Sequence, residues 1–531
     1  MTTVAAPPAY AGSARPAVLA AVFVCAACGL VYELALVALG SYLIGDTVGQ
    51  ASIVLGVMVF AMGVGALAAK PLQARAVVAF AAVELTLALL GGLSVLGLYA
   101  AFAWLNLYAP ALVATAFVLG LLIGAEIPLL MVLLQRIRAQ PAGSAVADLF
   151  AADYVGALLG GLTFPFLLIP LFGQLRGALV VGAVNALAGV LLVGVVFRRD
   201  LGIRARATVG TAAIVVGALL AGAYLVAEDF EVTARQQLYR DPVVYAEHSR
   251  YQEIVLTRAV STVSGGADIR LYLNGDLQFS SVDEYRYHEA LVHPALAGRR
   301  DRVLVLGGGD GLALREVLRY PDVTAVTLVE LDPAVVALAR DDTTLRELNG
   351  DAFGDPRVRV VLADAFTWLR SAPPGAFDAV IVDMPDPDQT STAKLYSVEF
   401  YGLVRAVLAP HGRMAVQAGS PYFAQRAYWC VEASIREAGY ATRPYHVDVP
   451  SFGDWGFLLA SASASASASD GAGSRPPLLV PADAPPLRFL HPQVLRAAEV
   501  FAPDRGRVPV AASTLLEPRV LDYTRQGWRD Y

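Results

Sequence analysis

Charge is scarce in this chain. Of its 531 residues, 16% are Asp, Glu, Lys or Arg, against roughly 25% in soluble globular proteins. Basic residues are not in excess: the formal net charge is −6. No basic stripe is visible, which argues against nucleic acid as a partner. Cysteine is scarcer still, at three residues, so there is no disulfide framework. Cys25 and Cys28 have C-x-x-C spacing but sit in an Ala- and Val-rich run. A reactive or metal-bound thiolate wants polar, electropositive surroundings. The pair therefore reads as small helix residues, Cys430 stands alone, and no metal or prosthetic group is assigned. An Arg-rich gating helix and a dense polar lining are also missing, so nothing points to a channel. The first apolar run is too long for a signal-peptide core and lacks a clear cleavage site, so it reads as a retained span.

What the chain has instead is apolarity, very unevenly spread. It is 56% hydrophobic with mean hydropathy +0.55, and nearly all the excess precedes residue 228. Apolar runs near 16–44, 49–69, 76–105, 109–134, 153–172, 177–197 and 208–227 each approach the ~20 residues that cross a bilayer as helix. After a tail at 1–15, residues 16–228 are therefore expected to form an α-helical, multi-pass membrane domain of about seven helices. Glycines such as Gly56, Gly63, Gly65, Gly156, Gly160 and Gly161 permit close helix approach in lipid. Glu33, Glu84, Glu126, Asp148 and Asp153 fall in or beside the runs. Such acids face a bundle interior, either as hydrogen-bonded structural groups or as a polar path. Lys70 and Arg75, Arg136 and Arg138, and Arg198, Arg199, Arg204 and Arg206 occupy alternate loops. With Arg15 they place the N-terminus in the cytoplasm. Seven spans would then put the rest of the chain outside, so the run containing Pro165 and Pro170 is a candidate re-entrant segment.

From residue 240 the texture changes. Residues 252–257 and 269–273 alternate like strands and belong to a small β-rich part, 240–295. Over 300–460, strands and helices alternate. Strand Val303–Leu306 runs into the turn Gly307–Gly311 and helix Leu312–Arg319. Strands Thr324–Glu330, Arg359–Leu362 and Ala379–Asp383 follow. This predicts an α/β Rossmann-like, methyltransferase-type sheet covered on both faces. Ligands of such sheets bind beyond the carboxyl ends of the strands. Polar residues stand at each of those ends. Gly307, Gly308 and Gly309 allow close backbone approach, and Asp310 projects from the turn. Glu330 ends the second strand, where an acid commonly chelates ribose. Asp364 ends the third, and Asp383 and Asp386 follow the fourth. The plainer alternative is that these acids cap the following helices. Asp310 disfavours a dinucleotide, whose pyrophosphate it would repel. A neutral or cationic nucleoside, such as an S-adenosyl sulfonium, suits it better. Residues 461–486 are Ser/Ala/Pro-rich and read as a flexible insert, and 487–531 as a segment packing back on the domain.

At these residues the chain resembles spermidine synthases, the polyamine aminopropyltransferases, in their membrane-anchored bacterial branch. The resemblance rests on Tyr251-Gln252-Glu253-Ile254, Leu273-Asn274-Gly275-Asp276-Leu277-Gln278, Asp283 to Glu289, Gly307 to Gly311, Asp383-Met384-Pro385-Asp386-Pro387 and Leu395 to Tyr401. It implies aminopropyl transfer from decarboxylated S-adenosylmethionine, a co-substrate, to putrescine or a related amine, giving spermidine and methylthioadenosine. It implies Asp383 as proton acceptor and Asp386 as an orienting acid. Asp310 would hold the donor's ammonium, Glu330 the ribose, Asp364 and Ala365 the adenine, and Gln252 the nucleoside. Tyr287 and His288 would face the polyamine. A dimer or tetramer is implied too, as is a cytoplasmic catalytic domain, since the donor is made there.

Three departures fall on the acceptor side. Asp388-Gln389-Thr390 stands where the family usually has Gly-Pro after Asp-Pro. The strand Met414–Ser420 lacks the acid often found beyond its Gln. Ser451-Phe452-Gly453-Asp454 replaces a Thr-Tyr-Pro-Ser-Gly stretch and removes a tyrosine hydroxyl. Two alternatives therefore stay open: an S-adenosylmethionine-dependent methyltransferase, and a non-catalytic membrane polyamine transporter or sensor.

Overall fold

The computed structural model describes residues 14–44, 47–105, 107–137, 142–260, 265–462 and 475–529. The chain divides into two compact units, Met1–Arg240 and Asp241–Tyr531.

Among its described residues the first unit is built of helices: α1 (Ala14–Ile44), α2 (Thr47–Ala68), α3 (Ala76–Ala100), α4 (Tyr108–Ile137), α5 (Ala142–Thr163), α6 (Ile169–Leu191) and α7 (Ile203–Leu238). The last helix runs ten residues past the expected limit of 228. Among the described residues six continuous segments are long and apolar enough to cross a membrane, and one of them, Val146–Val196, is a 51-residue helical stretch. Such a stretch would be about 76 Å long if straight, more than twice the ~30 Å hydrocarbon layer. It is not straight. Gly173 breaks it with φ 70° and ψ 179°, a backbone that glycine adopts without strain, and the chain reverses there. Before the break, α5 runs parallel to α1. Arg15 pairs with Asp148, and Gly156 and Gly160 lie against the Phe23 and Ala27 backbones. After the break, α6 runs antiparallel to α1. Gln174 Nε2 donates to the Ala35 carbonyl at 3.0 Å, and Cys28 Sγ to that of Val181 at 3.8 Å. The Pro165/Pro170 run thus keeps pace with α1 rather than turning back early. The exposed flanks carry large apolar side chains such as Phe60, Leu158, Phe166 and Leu225, a surface suited to lipid.

The second unit holds two sheets. β1 (Val243–His248), β2 (Glu253–Val260), β3 (Ala267–Leu273) and β4 (Asp276–Ser280) form an antiparallel meander. The Asn274-Gly275 turn, with φ 52° and 91°, is the tight hairpin this dipeptide favours. Its apolar face (Ile254, Leu256, Ile269, Leu271, Phe279) packs on Leu312, Val335, Leu338 and Leu345. The meander is thereby fixed against helices of the larger sheet.

That sheet comprises β5 (Arg302–Gly307), β6 (Ala325–Glu330), β7 (Val358–Leu362), β8 (Phe377–Asp383), β9 (Leu408–Gln417), β10 (Tyr440–Val449) and β11 (Gly453–Ala462). Its order is β10-β11-β9-β8-β5-β6-β7. β5 to β9 are parallel neighbours, and β11 is antiparallel to both β9 and β10. The order reverses between β5 and β8, so a crevice opens at their carboxyl ends.

Of the expected flexible insert, 463–474 lies outside the described residues. Its flanks are structured. β11 extends through Ala462, and Leu478, Val480 and Ala484 pack on the core, with Asp483 paired to Arg300. Apolar residues spaced through the Pro-rich stretch outweighed its composition. The C-terminal segment is fastened by one buried acid. Glu289 accepts the N–H groups of Arg488, Phe489 and Leu490 at 2.8, 2.9 and 2.8 Å.

Candidate active site

The crevice is built by the turn after β5. Gly307 and Gly308 have φ 79° and 66°. A Cβ on Gly307 would overlap the Asp383 carbonyl, and Gly308 N–H donates to that carbonyl at 3.1 Å. Glycine is therefore required for β5 and β8 to close at this point. A Cβ on Gly309 would lie 2.9 Å from the Glu330 side chain, so the turn and the acid ending β6 pack directly together.

Asp310 follows. Its Oδ1 accepts Leu312 N–H at 2.8 Å, while Asn349 Nδ2 holds its carbonyl at 3.1 Å. Burial and the nearby Asp383 push its pKa up, and His288 pulls it back, to about 6. Glu330 Oε1 accepts the N–H groups of Leu331 and Asp332 at 2.8 and 3.0 Å. Burial outweighs these bonds and raises its pKa to about 7. Gln252 arrives from the small sheet and donates to Asp332 Oδ2 at 3.0 Å, beside Ser249 at 2.6 Å. Asp364 caps the next short helix by accepting Thr367 N–H at 2.8 Å, and Lys394 Nζ lies 2.7 Å from its other oxygen. Burial opposes its charge, but these partners hold the Asp364 carboxyl below its usual range. Ala365 is buried beside it. The capping alternative is therefore true of Asp364, and Asp310 also bonds its own turn, without excluding a ligand.

At the end of β8 the acids behave differently. Asp383 caps no helix. Its Oδ1 accepts the Tyr287 hydroxyl at 2.6 Å. Burial raises its pKa, opposed by His288 and by Tyr287. Asp386 Oδ1 accepts from Gln417 Nε2 at 3.2 Å, and burial carries its pKa to about 6, with Asp388 adding to the rise.

Tyr287 and His288 lie on the helix Glu284–Val292. Tyr287 is wedged between His288, Phe452 and Phe457 at ring distances of 5.0, 5.9 and 5.3 Å. His288 is 2% exposed. Its Nδ1 lies 2.9 Å from Glu284 Oε2, and Arg315 clamps Glu284 at 3.0 and 2.9 Å. Burial works against a charged ring. Glu284, and then Asp310 and Asp383, raise its pKa to about 9. The protonated imidazole is thus the favoured form, set behind the carboxylates.

The sequence reading gave no role to several residues that the structure brings here. Gln417 at the end of β9 donates to Asp386 and to the Tyr396 hydroxyl at 2.6 Å, and its Oε1 accepts Gly419 N–H at 3.0 Å. Tyr396 donates to the Pro385 carbonyl at 2.9 Å. These bonds fix the Met384–Asp386 loop. Strand-end position alone could have flagged Gln417. Glu284 and Arg315 could not be paired from spacing, since 31 residues separate them. In the altered 451–454 turn, Ser451 N–H and Oγ bond Asp283 at 2.7 and 2.9 Å. Phe452 there faces Tyr287 and offers no hydroxyl.

Glycine-turn contact with β8, an acid at each strand end and a buried cation behind them define a nucleoside-dependent transferase of Rossmann-like fold. Comparison with known proteins narrows the class. Residues 284–470 match the spermine/spermidine synthase domain. The chain is 60% identical to polyamine aminopropyltransferase 1 of Streptomyces coelicolor, over 99% of this chain and 97% of that protein. It is 50% identical to the polyamine aminopropyltransferase of Mycobacterium tuberculosis, over 97% of each. Among solved structures, a spermidine synthase in complex with the transition-state analogue AdoDATO is 25% identical. It covers 49% of this chain and 86% of its own, with TM-score 0.42. The chain belongs to the polyamine aminopropyltransferase family, and it is an enzyme that transfers aminopropyl groups.

Proposed function

We propose that the chain transfers the aminopropyl group of decarboxylated S-adenosylmethionine to putrescine or a closely related amine, giving spermidine and methylthioadenosine. The observation that carries this reading is the set of half-buried acids, Asp310, Asp383 and Asp386, gathered at the carboxyl ends of β5 and β8 with the buried His288 behind them. Clustered carboxylates are costly to hold without cations. The donor brings a sulfonium and an ammonium, and the acceptor brings two ammoniums.

The acceptor nitrogen attacks the propyl carbon next to sulfur. The C–S bond breaks, and its electron pair stays on sulfur as the neutral thioether. The new nitrogen centre sheds a proton. Asp383 takes it, directly or just before attack, because an amine must be unprotonated to act as nucleophile. Tyr287 holds the Asp383 carboxyl in place. His288, by its charge, favours the ionised forms of Asp383 and Asp310 against their burial, so its service to the polyamine runs through those two acids. Asp310 pairs with the donor's ammonium, Glu330 with its ribose, and Asp364 with Ala365 border the adenine. Gln252 sets the nucleoside edge through Asp332. Gln417 and Tyr396 position Asp386 for the far ammonium. Asp310 also disfavours a methyl donor, whose carboxylate it would repel.

The helical unit is assigned to a membrane, as a multi-pass anchor. The catalytic unit is placed on the cytoplasmic side, where the donor is made. The arginine-rich ends near residues 15, 70–75, 136 and 198–206 then face outward, against the usual charge bias.

The deciding experiment incubates the full-length protein in detergent with this donor, or with S-adenosylmethionine, and a panel of amines, followed by mass spectrometry. Addition of one aminopropyl unit to putrescine supports the reading. Methyl addition, or no product from any amine, overturns it.

A further inference from the structure

The catalytic reading leaves one polar cluster unused, and it lies inside the helical unit. Glu84 of α3 is 0% exposed and Glu126 of α4 is 5% exposed. The thiol of Cys25 on α1 and a carboxylate oxygen from each acid all lie within 4.8 Å of one another. The Asn185 side chain on α6, also 0% exposed, donates to the Glu84 backbone carbonyl at 3.4 Å. Its own oxygen is free. Glu84 is in bonding reach of the Cys25 thiol, Asn185 and Glu126 within the cluster, but Asn185 Oδ1 and the Tyr32 hydroxyl, both fully buried, have no hydrogen-bond partner.

Buried polar atoms are almost always satisfied, and each orphan costs on the order of 1–3 kcal/mol. Two orphans beside two buried acids and a thiol therefore call for an explanation. An internal cation does not supply one. No histidine occurs before residue 248, and the titratable neighbours of Glu126 are Glu84 and Asp153, both acids. The donor set is one thiol, two carboxylates and one amide oxygen, contributed by four different helices. A thiol is a weak hydrogen-bond acceptor but, deprotonated, a strong ligand for borderline-soft divalent ions.

From Cys25, Glu84, Glu126 and Asn185 we infer a metal site within the bundle for a single zinc-class divalent ion. Four donors match the tetrahedral preference of such ions. Bond lengths of about 2.3 Å to sulfur and about 2.0–2.2 Å to oxygen set donors roughly 3.5 Å apart, so closure needs side-chain movements of about 1 Å. Binding displaces the thiol proton and forms the metal–sulfur bond. The ion would tie α1, α3, α4 and α6 together where their small residues already bring them close. Cys25 thereby acquires a role that its C-x-x-C neighbour lacks. The Cys28 thiol points instead to the Val181 carbonyl.

The test uses the full-length protein in detergent, stripped with chelator and titrated with Co2+. A near-ultraviolet thiolate-to-cobalt charge-transfer band is expected, saturating at one equivalent and bleached by Zn2+. Cys25→Ser should abolish the band, while Cys28→Ser and Cys430→Ser keep it. Glu126→Gln should keep a thiolate band but weaken Co2+ affinity at least about tenfold. Retained aminopropyl transfer and helical circular dichroism check that Cys25→Ser is folded, and Glu126→Gln stands as the second variant if it is not. No band in the wild-type protein, or a band that survives Cys25→Ser, overturns the assignment.

Discussion

Replacing Asp383 by Asn should stop turnover while sparing the site's architecture. The wild-type carboxylate does two things: its Oδ1 accepts the Tyr287 hydroxyl at 2.6 Å, and it is available to take a proton. Asparagine's carbonyl oxygen can still accept from Tyr287. The Gly308 N–H bond goes to the Asp383 backbone carbonyl, which the substitution leaves alone. What is lost is basicity. Removal of a general base typically costs 10²–10⁴ in rate, or about 2.7–5.5 kcal/mol of transition-state stabilisation. The assay is methylthioadenosine release at saturating donor and acceptor. In parallel, calorimetry of methylthioadenosine binding should show affinity within about threefold of wild type, since no charged contact to that neutral product is removed. A variant with wild-type turnover would remove Asp383 from proton transfer. A variant that has lost nucleoside binding as completely as turnover would make it a scaffold for the glycine turn.

Four further outcomes are expected. Asp310→Asn should weaken the aminopropyl donor by roughly 1.5–3 kcal/mol, the worth of a charge-assisted hydrogen bond, and barely affect methylthioadenosine. Calorimetry with both ligands checks this, and equal weakening would assign Asp310 to loop support alone. The rate at subsaturating substrate should fall as pH drops below about 6, because Asp310 and Asp386 lose charge there; a profile flat to pH 5 speaks against acid pairing with the amines. Stability of the ligand-free catalytic unit, residues 241–531, should run the opposite way. Folded pKa values of about 6 for Asp310 and Asp386 and about 7 for Glu330 exceed unfolded ones. Their contribution is therefore full below the ordinary carboxyl range near pH 4 and lost as pH rises from there through the folded values of about 6 to 7, and thermal unfolding should show Tm falling between about pH 4 and 7, less so with bound polyamine. Reporter fusions at residue 238 should be active only in the cytoplasm, and activity outside would reverse the proposed orientation.

How much of this was legible in the sequence follows from the range of the interactions. β5, β6, β7 and β8 fell close to their expected places because each is a short apolar run ended by Gly or an acid, signals contained within a few residues. The hairpin at Asn274-Gly275 is local in the same sense. Motif order then brought Asp310, Glu330, Asp364, Asp383 and Asp386 to one edge of one sheet. Features that depend on distant partners stayed hidden. Glu284, Arg315 and His288 form one ion-pair network, yet only Glu284 and His288 share a helix turn. The two apolar runs at 153–172 and 177–197 correspond to the two arms of the 146–196 stretch, but the reversal between them rests on one glycine, Gly173, inside an otherwise helical stretch. The Pro-rich flank at 475–486 was misread because a few apolar anchors decide packing, whatever the average composition.

The acceptor end carries the sharper lesson about specificity. Asp388 occupies a position where the family tends to have a small uncharged turn, and its carbonyl accepts from Arg525 Nε of the C-terminal helix at 3.2 Å. Its charge raises the pKa of Asp386. The loop therefore carries one acid more than such a turn would, while the 451–454 turn offers Phe452 in place of a hydroxyl. Exchanging a neutral hydrogen bond for a carboxylate shifts recognition from shape toward charge, and charge is felt over longer distances than a hydrogen bond. Acceptors with an additional ammonium beyond putrescine should accordingly lose less activity here than geometry alone would suggest. Competition assays of putrescine against a longer polyamine, in wild type and in Asp388→Asn, measure that directly. The wild type should tolerate the longer amine better than the variant does, and an unchanged preference ratio would show that Asp388 only supports its loop.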